Sequence, residues 1–91
     1  MFFIRYSLIK PDFYKDIEKL KKENPKYLGK VFELMSNIQD TLFTGLGEPE
    51  PLKGNYQGYW SRRITKEHRL IYKVENNLII YVSCHGHYGD S

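Results

Sequence analysis

The sequence predicts an α+β domain: an N-terminal strand, an antiparallel helix pair, then a mainly antiparallel twisted sheet. Three observations carry this. Apolar residues recur at helical spacing between residues 11 and 40; past residue 58 the period becomes two, with turn residues between the runs. A chain of 91 residues, 41% of them apolar, supports one core and one domain over residues 1–91. That length excludes large multidomain enzymes and doubly wound cofactor folds.

Residues 2–9 are β-branched and aromatic enough for a strand. Pro11 suits a first helical turn, and Phe13, Ile17 and Leu20 follow at helical spacing. Asn24-Pro25 interrupts, because proline disfavours the α conformation in the residue before it. A second helix presents Tyr27, Val31, Leu34 and Ile38, with Leu28, Phe32 and Met35 widening the stripe. Residues 45–51, Gly-Leu-Gly-Glu-Pro-Glu-Pro, read as a loop. Residues 59–65 and 68–74 read as a hairpin about Lys66-Glu67, and Glu75-Asn76-Asn77 turns into residues 78–84, the most apolar strand and the one expected at the centre. Alternation puts Tyr59, Ser61, Arg63 and Thr65 on one side and Trp60, Arg62 and Ile64 on the other. In the partner strand Arg69, Ile71 and Lys73 oppose His68, Leu70, Tyr72 and Val74. Only one of the adjacent arginines can therefore face a ligand, and Arg63 and Arg69 flank the turn where they can converge on one phosphate.

The formal charge is +3, unevenly placed. Residues 1–51 carry eight basic and eight acidic side chains; residues 52–74 carry Lys53, Arg62, Arg63, Lys66, Arg69 and Lys73 against Glu67 alone, a net +5. Such a concentration attracts polyanions, and the shortage of acids in the block argues against internal pairing. The single cysteine, Cys84, rules out an internal disulfide and reads as a small buried apolar residue. The longest apolar run, residues 78–82, is far short of the roughly 20 residues a membrane helix needs. With no signal-like start, the expected location is the cytoplasm.

Candidates for proton transfer are Glu50, held between two prolines, and His68, His85 and His87. A His85–His87 metal pair lacks further ligands beyond Cys84 and Asp90, so no metal and no cofactor are expected. A carboxylate, a histidine and clustered arginines among aromatics suit metal-free RNA cleavage. The carboxylate takes the proton of the 2′-hydroxyl, an imidazolium gives one to the departing 5′-oxygen, and guanidinium groups stabilise the phosphate charge between those events.

The runs Gly47-Glu48-Pro49-Glu50-Pro51-Leu52-Lys53 and Gly58-Tyr59-Trp60-Ser61-Arg62-Arg63-Ile64-Thr65-Lys66-Glu67-His68-Arg69-Leu70-Ile71-Tyr72, with the terminal His87-Tyr88, resemble the Txe/YoeB toxins of bacterial toxin–antitoxin systems, in the RelE-like superfamily. The close match covers residues 47–72 and the 84–88 end. It implies a RelE-like, microbial-ribonuclease-like fold and a ribosome-dependent endoribonuclease, a metal-independent mRNA interferase that inhibits translation by cutting in the A site of the 30S/70S ribosome. Carried over by position, Glu50 is the general base, His87 the general acid and Arg69 the phosphate-stabilising arginine. Lys53, Arg63 and Tyr88 support RNA binding, with Arg62 beside them, while His68 is read as structural. The chain departs from the pattern at Gly86, where a larger residue is expected, and in the Gly89-Asp90-Ser91 extension.

The resemblance also implies a cognate antitoxin, acidic and folding on binding, and leaves monomer or homodimer open. The competing reading is a non-catalytic toxin of the same superfold that binds DNA gyrase or blocks the ribosome. Such a protein has no need of Glu50 and His87 together.

Overall fold

Pro11 presets the backbone of a first helical turn, and in the computed structural model, which describes residues 5–86, helix α1 runs Pro11–Glu23 from it. Its buried residues, Phe13, Asp16 and Leu20, fall at i, i+3 and i+7. Pro25 leads into α2 (Lys26–Asp40), which buries Val31, Leu34 and Ile38. Phe32, expected to widen that stripe, is instead 57% exposed. It lies one residue past Val31, about 100° around the helix and away from the sheet.

The remaining elements are the strands β1 (Tyr6–Ile9), β2 (Glu50–Pro51), β3 (Trp60–Arg63), β4 (Arg69–Glu75) and β5 (Leu78–Ser83), with a 3₁₀ turn at Gly54–Tyr56. Sheet order is β1-β5-β4-β3-β2, with β1 parallel to β5 and every other pair antiparallel. β5 is interior, while the middle place goes to β4. The loop expected over residues 45–51 ends earlier than its composition suggests, because Glu50 pairs with Ser61 and Pro51 with Trp60. A proline is tolerated there because β2 is an edge. β3 stops at Arg63, where the turn begins: the Thr65 hydroxyl accepts the Glu67 and His68 N–H groups, each at 3.1 Å.

The helices cover one face of the sheet. Phe13, Leu20, Val31, Leu34 and Ile38 pack on Ile64, Leu70, Tyr72, Ile79, Tyr81 and Cys84. Fully burying a side chain of this size stabilises the fold by about 1.5–3 kcal/mol. The buried Asp16 carboxylate accepts the Cys84 N–H at 2.9 Å and so fastens α1 to the end of β5. Cys84 is buried as expected, and burial, then the Asp16 charge, pushes its thiol up to about 12. None of the helices among the described residues is long and apolar enough to cross a membrane.

Arg62 belongs to this covered side. It is fully buried. Its Nε donates to the Tyr72 hydroxyl at 3.2 Å, Nη1 to Asn37 Oδ1 at 2.5 Å and to the Leu46 carbonyl at 3.1 Å, and Nη2 to the carbonyls of Thr41 and Leu42 at 2.6 and 3.4 Å. The RNA-contact role expected for Arg62 is therefore corrected: its donors are spent on the loop after α2, and no phosphate reaches it. Tyr72 completes the network by donating to the Leu42 carbonyl at 2.6 Å, and burial raises its phenol.

Gly47 closes the same loop in the left-handed region, φ 79°. A Cβ there would sit 2.8 Å from Leu34 Cδ2, and the Gly47 carbonyl accepts the Arg63 N–H at 2.6 Å. Only glycine fits both demands.

Replacing Arg62 by Met removes the charge but strands the Thr41 and Leu46 carbonyls, while Tyr72 and Leu42 keep the bond between them. We expect Arg62→Met to lose about 3 kcal/mol or more of stability, read from urea unfolding midpoints. A loss under about 1 kcal/mol contradicts the network's role.

Candidate active site

The face of the sheet that no helix covers carries the candidate chemistry. Cross-strand partners point to the same side, and the register lines up Glu50, Ser61, Ile71 and Ser83 in one row across β2, β3, β4 and β5. In the next row Arg63 stands directly opposite Arg69. The sheet thus brings Arg63 and Arg69 to one face, as alternation predicts, and adds Glu50, which the sequence placed in a loop.

Each group has a distinct setting. Glu50 is exposed at the edge, and its carboxylate has no partner among the described residues. Arg69 is half-buried, its Nη1 donating to the Thr65 carbonyl at 3.1 Å and the Lys66 carbonyl at 3.5 Å, which folds the guanidinium onto the turn. Arg63 pairs with Glu48 at 3.2 Å, both ends exposed. The block's own acid count missed this partner because Glu48 lies just upstream of it. Such a surface pair is worth about 1 kcal/mol or less, so a phosphate displaces it at small cost. Glu48 holds a left-handed φ of 53°, a strained setting for a non-glycine residue between Gly47 and Pro49. Lys53 is exposed ahead of the 3₁₀ turn.

His87 and Tyr88 lie outside the described residues, but the chain is described up to Gly86, which precedes His87. Gly86 donates its N–H to His68 Nδ1 at 2.9 Å, and its carbonyl accepts the Arg69 N–H at 2.9 Å. The terminal segment is therefore anchored beside the first residue of β4. Gly86 has φ 80°, a value glycine meets without strain, which is a physical reason for a glycine where a larger residue is expected.

His68 is buried, and its Nε2 lies 2.8 Å from Glu23 Oε2; His85 Nε2 lies 2.5 Å from the other oxygen, Oε1. The imidazole rings stack at 4.4 Å. Ligand atoms of Glu23, His68 and His85 fall within 4.8 Å of one another, a spacing open to metal binding. The bond from Gly86 argues otherwise. With Nδ1 accepting, the neutral His68 ring carries its proton on Nε2 and donates it to Glu23, leaving no lone pair there for a cation. The cluster is a clasp between the end of α1 and the terminal segment. Sequence reading named His68 and His85 but missed Glu23 and its pairing with them, since Glu23 and His85 are 62 positions apart.

The hydrogen bonds from His85, then His68, hold the Glu23 carboxyl below the usual carboxylate value. A depressed folded-state pKa gives stability that is present above the unfolded value of about 4.3 and is lost as pH falls through the folded one. Wild type should therefore lose stability more steeply than Glu23→Gln as the pH drops from about 5 to 3, followed by urea midpoints across the series. Parallel curves would show that the clasp adds nothing.

Three comparisons bear on identity. A family model described as "YoeB-like toxin of bacterial type II toxin-antitoxin system" matches residues 9–88. Toxin YoeB of Escherichia coli strain K12 is 43% identical over 68 residues, covering 75% of this chain and 81% of that protein. Among solved structures, the YoeB/ParE toxin from Agrobacterium tumefaciens superposes with a TM-score of 0.85 at 37% identity, covering 91% of this chain and 99% of that one. The toxin in a heterotetrameric YoeB–YefM toxin–antitoxin complex from Staphylococcus aureus gives 0.80 at 38% identity, covering 92% and 98%.

Proposed function

This chain belongs to the YoeB-like toxin family of bacterial type II toxin–antitoxin systems, and on that premise we propose that it is a ribosome-dependent endoribonuclease. It cuts mRNA in the ribosomal A site, in the cytoplasm, without a metal ion. The observation that supports this best is the convergence of Glu50, Arg63 and Arg69 on one uncovered sheet face, beside the anchored residue that precedes His87.

In this reading Glu50 removes the proton from the 2′-hydroxyl of the nucleotide before the cut. The oxygen attacks the adjacent phosphorus, and the bond to the 5′-oxygen breaks as His87 supplies it with a proton. The products are a 2′,3′-cyclic phosphate and a 5′-hydroxyl. Arg69, helped by Arg63 once released from Glu48, carries the charge that develops on the phosphate. Lys53 and Tyr88 help hold the RNA. A 10.9 kDa chain has little surface with which to align an RNA strand, and the ribosome performs that alignment. The basic face also suits an antitoxin with an acidic segment that folds over it.

Glu50→Gln and His87→Gln should each lower cleavage of ribosome-bound mRNA by about 10²- to 10⁴-fold while leaving thermal unfolding unchanged. Mapping cut sites with purified ribosomes checks this. Undiminished cleavage by both variants sinks the proposal.

A further inference from the structure

The uncovered face holds a pocket of about 290 Å³ lined by Asn55, Tyr56, Tyr59, Ile71, Val82 and Ser83. The proton transfers described above use none of these residues. A β-bulge builds its floor. Ile71 opposes Ser83 and Tyr72 opposes Tyr81, so Val82 is the extra residue, and it lines the pocket together with Ser83 although the two are consecutive. The wall is aromatic. Tyr59 meets Tyr56 edge-on, with centroids 6.4 Å apart at 80°, and Lys73 Nζ lies 5.1 Å from the Tyr59 centroid.

The Ser83 hydroxyl is the unusual group. Ser83 is 4% exposed, and its Oγ has no hydrogen-bond partner among the described residues. A buried hydroxyl without a partner is a cost of folding that the chain bears unless something else satisfies it. It also stands in the row that begins at Glu50, with Ile71 two strands from that carboxylate, about 10 Å.

The geometry points to a seat for one unstacked RNA base, from a nucleotide flanking the bond that is cut, with Tyr59 as stacking surface and the Ser83 hydroxyl reading the base edge. This rests on the endoribonuclease reading for the RNA that brings the base there. The volume is at the small end for ligand pockets, enough for a single planar ring system. Single-stranded RNA is recognised by stacking on aromatic rings and by hydrogen bonds to exposed base edges, which are the two kinds of group this pocket offers. Arg63 and Arg69, on the same face, attract the phosphates on either side.

The test uses 2′-O-methyl trinucleotides, which lack the attacking hydroxyl and stay uncut, varied through four bases at one position. Binding is followed by amide NMR shifts in wild type, Tyr59→Ala and Ser83→Ala. Shifts are expected at Ile71, Val82 and Ser83. Tyr59→Ala should weaken every trinucleotide by about 5- to 100-fold. Ser83→Ala should weaken the best-bound base about fivefold and flatten the ranking of the four, with a melting temperature equal to or above wild type because it deletes an unpartnered hydroxyl. Shifts confined to Arg63 and Arg69, a base ranking unchanged in Ser83→Ala, or a pocket that responds to the antitoxin and to no trinucleotide would each overturn the proposal. Because no cleavage is required, a protein that seats the base yet fails to cut mRNA refutes the nuclease reading alone. One that cuts while the pocket stays silent refutes the pocket alone.

Discussion

A buried guanidinium with no carboxylate beside it among the described residues organises this protein. Arg62 gives its donors to neutral oxygens of Asn37, Thr41, Leu42, Leu46 and Tyr72. Burying an unpaired charge is costly, and the cost is offset only when every donor finds a well-placed acceptor. That demand shapes residues 41–47, which have no regular structure of their own, into one conformation. The loop then returns to β3 through the Gly47 carbonyl and the Arg63 N–H, and three residues later the chain reaches Glu50. The position of an exposed catalytic candidate thus depends on an arginine that never meets solvent.

The sheet divides its labour by face. Leu70, Tyr72, Ile79 and Tyr81 take the helices, and the other side carries Glu50, Arg63 and Arg69 beside the buried Ser61, Ile71 and Ser83. The candidate groups Glu50, Arg63 and Arg69 come from three strands, so no single loop motion rearranges them. The terminal segment is attached twice, to His68 and to the backbone of Arg69, before it continues to His87.

Much of this was legible in the residues. Proline at 11 and 25, the helical spacing between them and beyond, and the change of period after residue 58 predicted the element order, and strand alternation separated Arg63 from Arg62. What escaped was long-range. Composition reads Arg62 as one more basic side chain, because nothing local announces that carbonyls 16 to 21 positions upstream will enclose it. The bulge at Val82 was equally silent, since an apolar run looks the same whether its pairing slips or not, and Ser83 became visible only through register. The Glu23 clasp joins the end of α1 to the terminal segment, a contact that periodicity cannot express.

The interior place of Arg62 also changes how the protein meets a polyanion. Of the six cations between residues 52 and 74, Arg62 faces inward and Lys73 is engaged by Glu75 at 2.8 Å, which leaves Lys53, Lys66 and Arg69, joined by Arg63 once a phosphate displaces Glu48. Four phosphate contacts to a single strand release few counterions, giving a salt exponent of only about −3. Free RNA in the cell would then be held weakly and released quickly at ordinary ionic strength. Under the proposed function, a chain built this way would spend little time on messages that are not already threaded through a translating particle.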